Sequence, residues 1–305
     1  FCNVDEDAVI SARDLAHIYE LPLSFHDEGL DEKITRVLGI WSGEPRLGGW
    51  ERVVQAVRNP ERSVKIAMVG KYVNLTDSYK SLNEALHHGG IAHRTRVEIE
   101  YFDSEKLTQP DELARVHGVL VPHGFGSRGV EGKVAAVRFA RERRIPFFGI
   151  CFGMQLAVIE FARNVAGLER ANSAEVDPET PHPVIDLMPE QRAVAEKGAT
   201  MRLGSCPCVL REGTRAFDAY GVREITERHR HRYEFNPEYR DQLSRAGLVL
   251  SGTSPDGRLI ELVELADHPW FVGSQFHPEF QSGPFDPHPL FTAFVEAAIR
   301  HAAGR

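Results

Sequence analysis

The sequence predicts an α/β protein with a central, mostly parallel sheet flanked by helices and with additional antiparallel strands. Three observations carry that expectation. Apolar runs of strand length alternate with helix-periodic stretches between residues 64 and 165. Further apolar runs follow around residues 208–210, 248–251, 259–265 and 270–276. The chain has 305 residues, 42% of them hydrophobic, enough to enclose a core of ordinary size.

Residues 1–40 read as the end of something larger. Ala8-Val9-Ile10 is a short apolar run, residues 14–19 make a helical turn, and residues 30–38 make a helix closed by Gly39. The chain starts at Phe1 rather than Met, which fits a fragment. Residues 41–49 are rich in Gly and Pro, the mark of a linker. Trp50, Val53, Val54 and Val57 then recur at helical spacing, and Asn59-Pro60 ends that helix. Residues 64–70 form the first expected strand. A helix over residues 77–88 follows, closed by Gly89-Gly90. Strands at 97–102, 118–121 and 146–150 come next. The helices among them are expected at 134–144 and 152–165. A last helix sets Phe291, Phe294, Val295 and Ala298 on one face.

Composition excludes several classes. Lys and Arg total 36 against 44 Asp and Glu, a net charge of −8, which gives no bulk support for nucleic-acid binding. No apolar run reaches the ~18 residues of a membrane span, and the first residues are acidic, unlike a signal peptide. Four Cys make no disulfide framework, so a reducing compartment is expected. Cys206-Pro207-Cys208 lacks a second ligand pair, so buried thiols are the better reading than zinc.

Four segments bear chemistry. In Gly149-Ile150-Cys151-Phe152-Gly153 a Cys stands between a strand and a helix, the arrangement of a nucleophile elbow. Flanking glycines admit the turn, and the helix N-terminus favours thiolate. The bland alternative is a structural Cys at a strand end. Phe276-His277-Pro278-Glu279 leaves an apolar strand near the same sheet edge. His277 would be the base and Glu279 the group that orients it. In Val121-Pro122-His123-Gly124-Phe125-Gly126 a Gly-rich turn could offer N–H groups to an oxyanion, with Phe152 N–H as the partner donor. No Gly-Lys-Ser/Thr follows, so a phosphate loop is not supported. Finally, residues 227–234 carry five basic-capable side chains in a row, flanked by carboxylates. A solvated strand is the usual fate of such a run; an anion site is the sharper reading.

In combination, residues 149–155, 200–204, 227–234 and 275–280 resemble the class I glutamine amidotransferases, and among them the C-terminal glutaminase domain of the CTP synthase family. The resemblance covers almost the whole chain. Residues 1–40, with Ile18-Tyr19-Glu20-Leu21-Pro22, resemble the tail of that family's synthetase domain. It implies a flavodoxin-like fold with a synthetase tail at 1–40, a linker with one helix at 41–62 and an amidotransferase domain at 63–305. It implies glutamine hydrolysis through Cys151, His277 and Glu279, with Gly124 and Phe152 as oxyanion donors. Gly124, Phe152, Gly153, Met154, Gln155, Glu175 and Arg232 match positions that hold glutamine. Arg232 would pair the α-carboxylate and Glu175 the α-ammonium.

The resemblance further implies L-glutamine as substrate and no metal or cofactor in this fragment. GTP would be an allosteric activator, and ATP and Mg²⁺ would serve the synthetase domain, which converts UTP to CTP. A cytoplasmic homotetramer, with no nucleic-acid or membrane partner, is the family's pattern. Two positions depart from it. His123 stands where the family has Gly, and would be strained there if φ were positive. It could also crowd the glutamine pocket. Phe285 stands where Arg is common. Two rival readings remain at this point: a catalytically impaired assembly or regulatory module, and a Cys hydrolase acting on another substrate.

Overall fold

The structure is a computed structural model and describes residues 3–41, 43–71, 76–107, 109–187 and 201–304. Phe1, Cys2 and Thr200 of the segments quoted above lie outside them. The chain divides into two compact units, residues 1–62 with 94–96, and residues 63–93 with 97–305.

The first unit contains helices α1 (Leu21–Asp27), α2 (Leu30–Leu38) and α3 (Gly48–Arg58). Gly39 closes α2 in the left-handed region at φ 61°, as its place after the periodic run predicts. Sequence reasoning missed α1. It has barely two turns, with Pro22 in its first turn, and no residue of it is fully buried, so no apolar stripe marks it. Arg58 on α3 holds Glu20 through two parallel hydrogen bonds of 3.0 and 2.6 Å.

The strands are β1 (Arg62–Gly70), β2 (Thr95–Asp103), β3 (Gly118–Val121), β4 (Phe147–Ile150), β5 (Asn172–Ser173), β6 (Pro183–Leu187), β7 (Arg202–Leu210), β8 (Glu224–His231), β9 (Tyr233–Phe235), β10 (Leu248–Thr253), β11 (Ile260–Leu265) and β12 (Phe271–Ser274), all in the second unit but for the first residues of β1 and β2. Nine of them make one sheet in the order β2-β1-β3-β4-β12-β11-β10-β7-β8 among the described residues. The pairs β1–β3, β3–β4 and β4–β12 are parallel. From β12 outward through β11, β10, β7 and β8 the pairing is antiparallel. A small sheet, β5-β6-β9, stands apart. The expected parallel centre with antiparallel additions is thus what forms.

Helices α4 (Lys80–Ala92), α5 (Val130–Arg143), α6 (Phe152–Asn164) and α9 (Pro289–Ala303) cover the sheet, with the short α7 (Arg215–Tyr220) and α8 (Arg240–Arg245) at its antiparallel side. Two cores result. One joins α5 and α6 to Val119, Val121 and Phe271; the other joins α4 and α9 to Ile66, Leu120 and Phe148. One helix boundary differs from expectation. Gly89-Gly90 does not end α4, which runs on to Ala92. A Cβ on Gly89 would sit 2.9 Å from the Phe291 carbonyl oxygen, so the glycine serves close approach of α4 to α9.

Candidate active site

The register of the three central strands sets the site. Val121 lies opposite Gly149, and Ile150 opposite Ser274. The carboxyl ends of β3, β4 and β12 are therefore level. The segments that follow them, Pro122 onward, Cys151 and Gln275 onward, leave the sheet at one edge, where open parallel sheets place their ligands.

Cys151 occupies φ 53°, ψ −104°, a conformation that L residues avoid, and is the N-cap of α6. The elbow is held by its surroundings. A Cβ on Gly149 would lie 2.7 Å from the Gly153 backbone, and one on Gly153 would collide with the Val121 carbonyl. Only glycine fits at either place. His277 is buried and bonds Glu279 Oε1 through Nδ1 at 2.8 Å. Its Nε2 forms no hydrogen bond of good geometry, yet the Cys151 sulfur is near enough to stabilise the imidazolium. Burial opposes that charge, but Cys151 and Glu279 together outweigh it and hold His277 up to about 10.

Cys151 and His277 line a cavity of about 570 Å³, with Glu279 buried behind His277. Its wall also includes Gly124, Phe152, Gln155, Glu175 and Arg232. Gln155 is buried and donates to the Tyr233 carbonyl at 2.9 Å and to Gln275 Oε1 at 3.2 Å. Both amide hydrogens are thereby committed, so Gln155 would face a ligand as an acceptor. Glu175 Oε1 accepts from Gly126 N–H at 3.1 Å, which fixes the carboxylate against the Gly-rich loop. Gly153 and Met154 lie off the wall. Gly153 packs on Val121, and Met154 is a core side chain beside Gly273.

His123 is not in the left-handed region, so the strain expected there does not arise. Its ring does line the cavity, with Nδ1 3.6 Å from Glu279 Oε1 and its centroid 5.3 Å from that of His277. Burial, the largest influence, lowers its proton affinity. Phe285 is exposed and off the cavity wall.

The basic run resolves into two faces of β8. Arg228 and Arg230 are on the exposed face, Arg230 also lining the cavity, while Glu227, His229 and His231 are buried. Burial chiefly lowers His229 to about 2 and His231 to about 3, so both rings are neutral near pH 7. With its Nδ1 donating to the Tyr233 carbonyl, neutral His231 then accepts at Nε2 from His229 Nδ1–H at 2.8 Å. Glu227 accepts from Tyr220 Oη at 2.6 Å and from Gln281 Nε2 at 2.6 Å, a structural role. Cys206 and Cys208 are free; burial pushes the Cys208 thiol strongly up, as for an inert core thiol.

Sequence reasoning missed Gln275, whose Nε2 approaches Cys151 Sγ at 3.8 Å, and the cavity residues Tyr79, Phe125, Met201 and Phe280. Gln275 and Phe280 flank the His-Pro-Glu segment, which is a usable signal. Tyr79 arrives from a distant loop and had none.

Residues 74–297 match the family described as glutamine amidotransferase class-I. A glutaminase domain of Trypanosoma brucei CTPS with bound acivicin superimposes with a TM-score of 0.74 at 40% identity, covering 78% of this chain and 94% of that one. CTP synthase of Syntrophus aciditrophicus is 59% identical over 308 residues, all of this chain and 57% of the relative. That of Carboxydothermus hydrogenoformans is 57% identical over 98% of this chain and again 57% of the relative. The chain thus spans little more than half the length of these relatives. No helix among the described residues is long and apolar enough to cross a membrane. Elbow, cavity and likeness lead to one conclusion: the chain belongs to the class I glutamine amidotransferases, in the branch formed by CTP synthase glutaminase domains.

Proposed function

We propose that Cys151, His277 and Glu279 hydrolyse the side-chain amide of L-glutamine. The observation that carries this is Cys151 and His277 on the wall of one cavity, with Glu279 buried behind and paired to His277 at 2.8 Å. The Cys151 thiolate attacks the amide carbon, and the oxyanion that develops is taken by the N–H groups of Gly124 and Phe152. His277 gives its proton to the departing nitrogen, which leaves as ammonia. Cys151 is now a glutamyl thioester and no longer an anion. The larger support for the imidazolium is gone, so His277 can take a proton from water. The hydroxide so formed attacks the thioester, glutamate leaves and the thiolate returns. Arg232 and Glu175 would hold the α-carboxylate and α-ammonium, with Gln155 accepting from the substrate.

By the same family reasoning, residues 1–40 are the tail of a synthetase domain, 41–62 a linker and 63–305 the amidotransferase domain. The ammonia would serve ATP- and Mg²⁺-dependent amination of UTP to CTP by that synthetase domain. GTP would activate hydrolysis, in a cytoplasmic homotetramer. The test is ammonia release from glutamine by the purified chain, against Cys151→Ala. Loss of release in a folded Cys151→Ala protein is expected; retained release would overturn the reading. The impaired-module alternative draws on one observation, His123 beside Glu279. It would gain if a glutamine-like electrophile left Cys151 unlabelled.

A further inference from the structure

We propose that His123, His277 and Glu279 form a site for a borderline-soft divalent ion of the zinc class, and that the ion reversibly silences the Cys151 centre. Among the described residues these three are the group of His, Cys, Asp and Glu side chains whose donor atoms converge, all within 4.8 Å of one another. Two imidazoles and a carboxylate are a common three-residue donor set for such an ion.

Two of the three separations fit with little movement, and the third lies within 4.8 Å. In a tetrahedral site with bonds of roughly 2.0–2.1 Å, donors stand about 3.3 Å apart. Here His123 Nδ1 is 3.6 Å from Glu279 Oε1, and His277 Nδ1 is 2.8 Å from it, so an ion held there would displace to solvent the proton that now bridges His277 and Glu279. Two further observations point to a ligand. The Glu279 side chain is wholly buried, yet its Oε2 has no hydrogen-bond partner. His123 Nδ1 is also buried and makes no hydrogen bond. A buried polar atom left unmatched is costly; a cation held on Glu279 Oε1 would satisfy His123 Nδ1, and Oε2 as well if the carboxylate chelates it. The fourth position would open on the cavity, where Cys151 stands.

His123 is what distinguishes this site from a bare His–Glu pair. It adds the third donor, from the other side of the cavity. The silencing half rests on the glutaminase reading, because an ion held by His277 and Glu279 occupies the groups that move the proton; binding does not.

Zinc and cobalt(II) titrations of the chain, read by calorimetry and by the cobalt absorption spectrum, test the binding half. One ion per chain is expected in the wild type, with affinity at least tenfold weaker in His123→Ala. The thermal midpoint shows whether that variant is folded, and Glu279→Gln provides a second donor deletion. Unchanged affinity in folded His123→Ala would overturn the site, as would affinity lost only in a Cys206→Ser/Cys208→Ser protein. The silencing half is read separately, as zinc inhibition of ammonia release that a chelator reverses and His123→Ala weakens at least tenfold. Tight binding without inhibition would overturn that half and leave the glutaminase reading standing. No ammonia release even after chelation would instead overturn the glutaminase reading, with the calorimetry unaffected.

Discussion

The backbone N–H of Cys151 donates a 2.7 Å hydrogen bond to the carbonyl of Ser274. That bond fastens the strained elbow to the end of β12, three residues before His277. Cys151 and His277 are thereby positioned by one sheet edge rather than by two independent loops. Backbone strain at φ 53° persists because the surroundings over-determine it.

Gly153→Ala tests that restraint. Its methyl would enter the Val121 carbonyl, which belongs to β3 and cannot swing aside as a side-chain tip would. We expect a loss of about 1–3 kcal/mol in urea unfolding, the usual range for overpacking, with ammonia release falling more steeply than stability. Unchanged stability and activity would mean that the elbow is not held as tightly as the register implies.

Glu279→Gln keeps the shape of the side chain and removes its charge. The 2.8 Å bond to His277 can survive, but support for the imidazolium drops. The turnover number should fall by roughly 10²–10⁴-fold, the range for general acid–base assistance, while KM for glutamine changes little. A loss confined to KM would place Glu279 in substrate binding instead.

What was legible in the sequence was local or periodic. The Gly-x-Cys-x-Gly elbow names its own backbone conformation, since both glycines answer to close backbone contacts. The strands β1, β3, β4 and β12 are apolar runs because both faces are covered. What escaped depends on distant partners. Gly89-Gly90 looked like a helix stop because nothing local reveals that α9 lies against it. The five-residue basic run looks like one cluster, yet strand alternation puts His229 and His231 inside and Arg228 and Arg230 on the exposed face, while Arg232, past the strand, lines the cavity. Tyr79 reaches the cavity from a segment with no motif.

The fold should be acid-labile through His268. This ring is buried, its Nδ1 accepts from Trp270 N–H at 3.2 Å, and its Nε2 donates to the Ala140 carbonyl at 3.1 Å. A proton on Nδ1 would break the first bond. Burial, the largest influence, lowers His268 to about 4 from the ordinary 6.5. The sign follows: below 6.5 the unfolded chain takes a proton that the folded chain refuses. Stability therefore declines as pH falls from 6.5 through 4, by roughly 2–3 kcal/mol in all. Thermal midpoints across that window should fall less steeply in His268→Gln; an identical slope would remove His268 as a cause.

Arg202 offers a separate test of the buried charges behind the cavity. Its guanidinium lies 2.7 Å from Glu261 and 3.8 Å from Glu234, and both carboxylates are buried. Burial, then the neighbouring Glu261, raises Glu234 to about 8, so near neutral pH one of the two carboxyls keeps its proton. Arg202 thus balances a single net negative charge. Arg202→Met would strand that charge and should cost about 3–5 kcal/mol in urea unfolding. Adding Glu261→Gln removes the stranded charge, so the double variant should be more stable than Arg202→Met alone. If the two losses simply add, the cluster is not coupled. Because Glu261 also accepts from Gln275 N–H through its backbone carbonyl at 2.8 Å, Arg202→Met should loosen the Gln275 contact with Cys151 as well. A lower rate of Cys151 alkylation or ammonia release in a still-folded Arg202→Met protein would reveal that second effect.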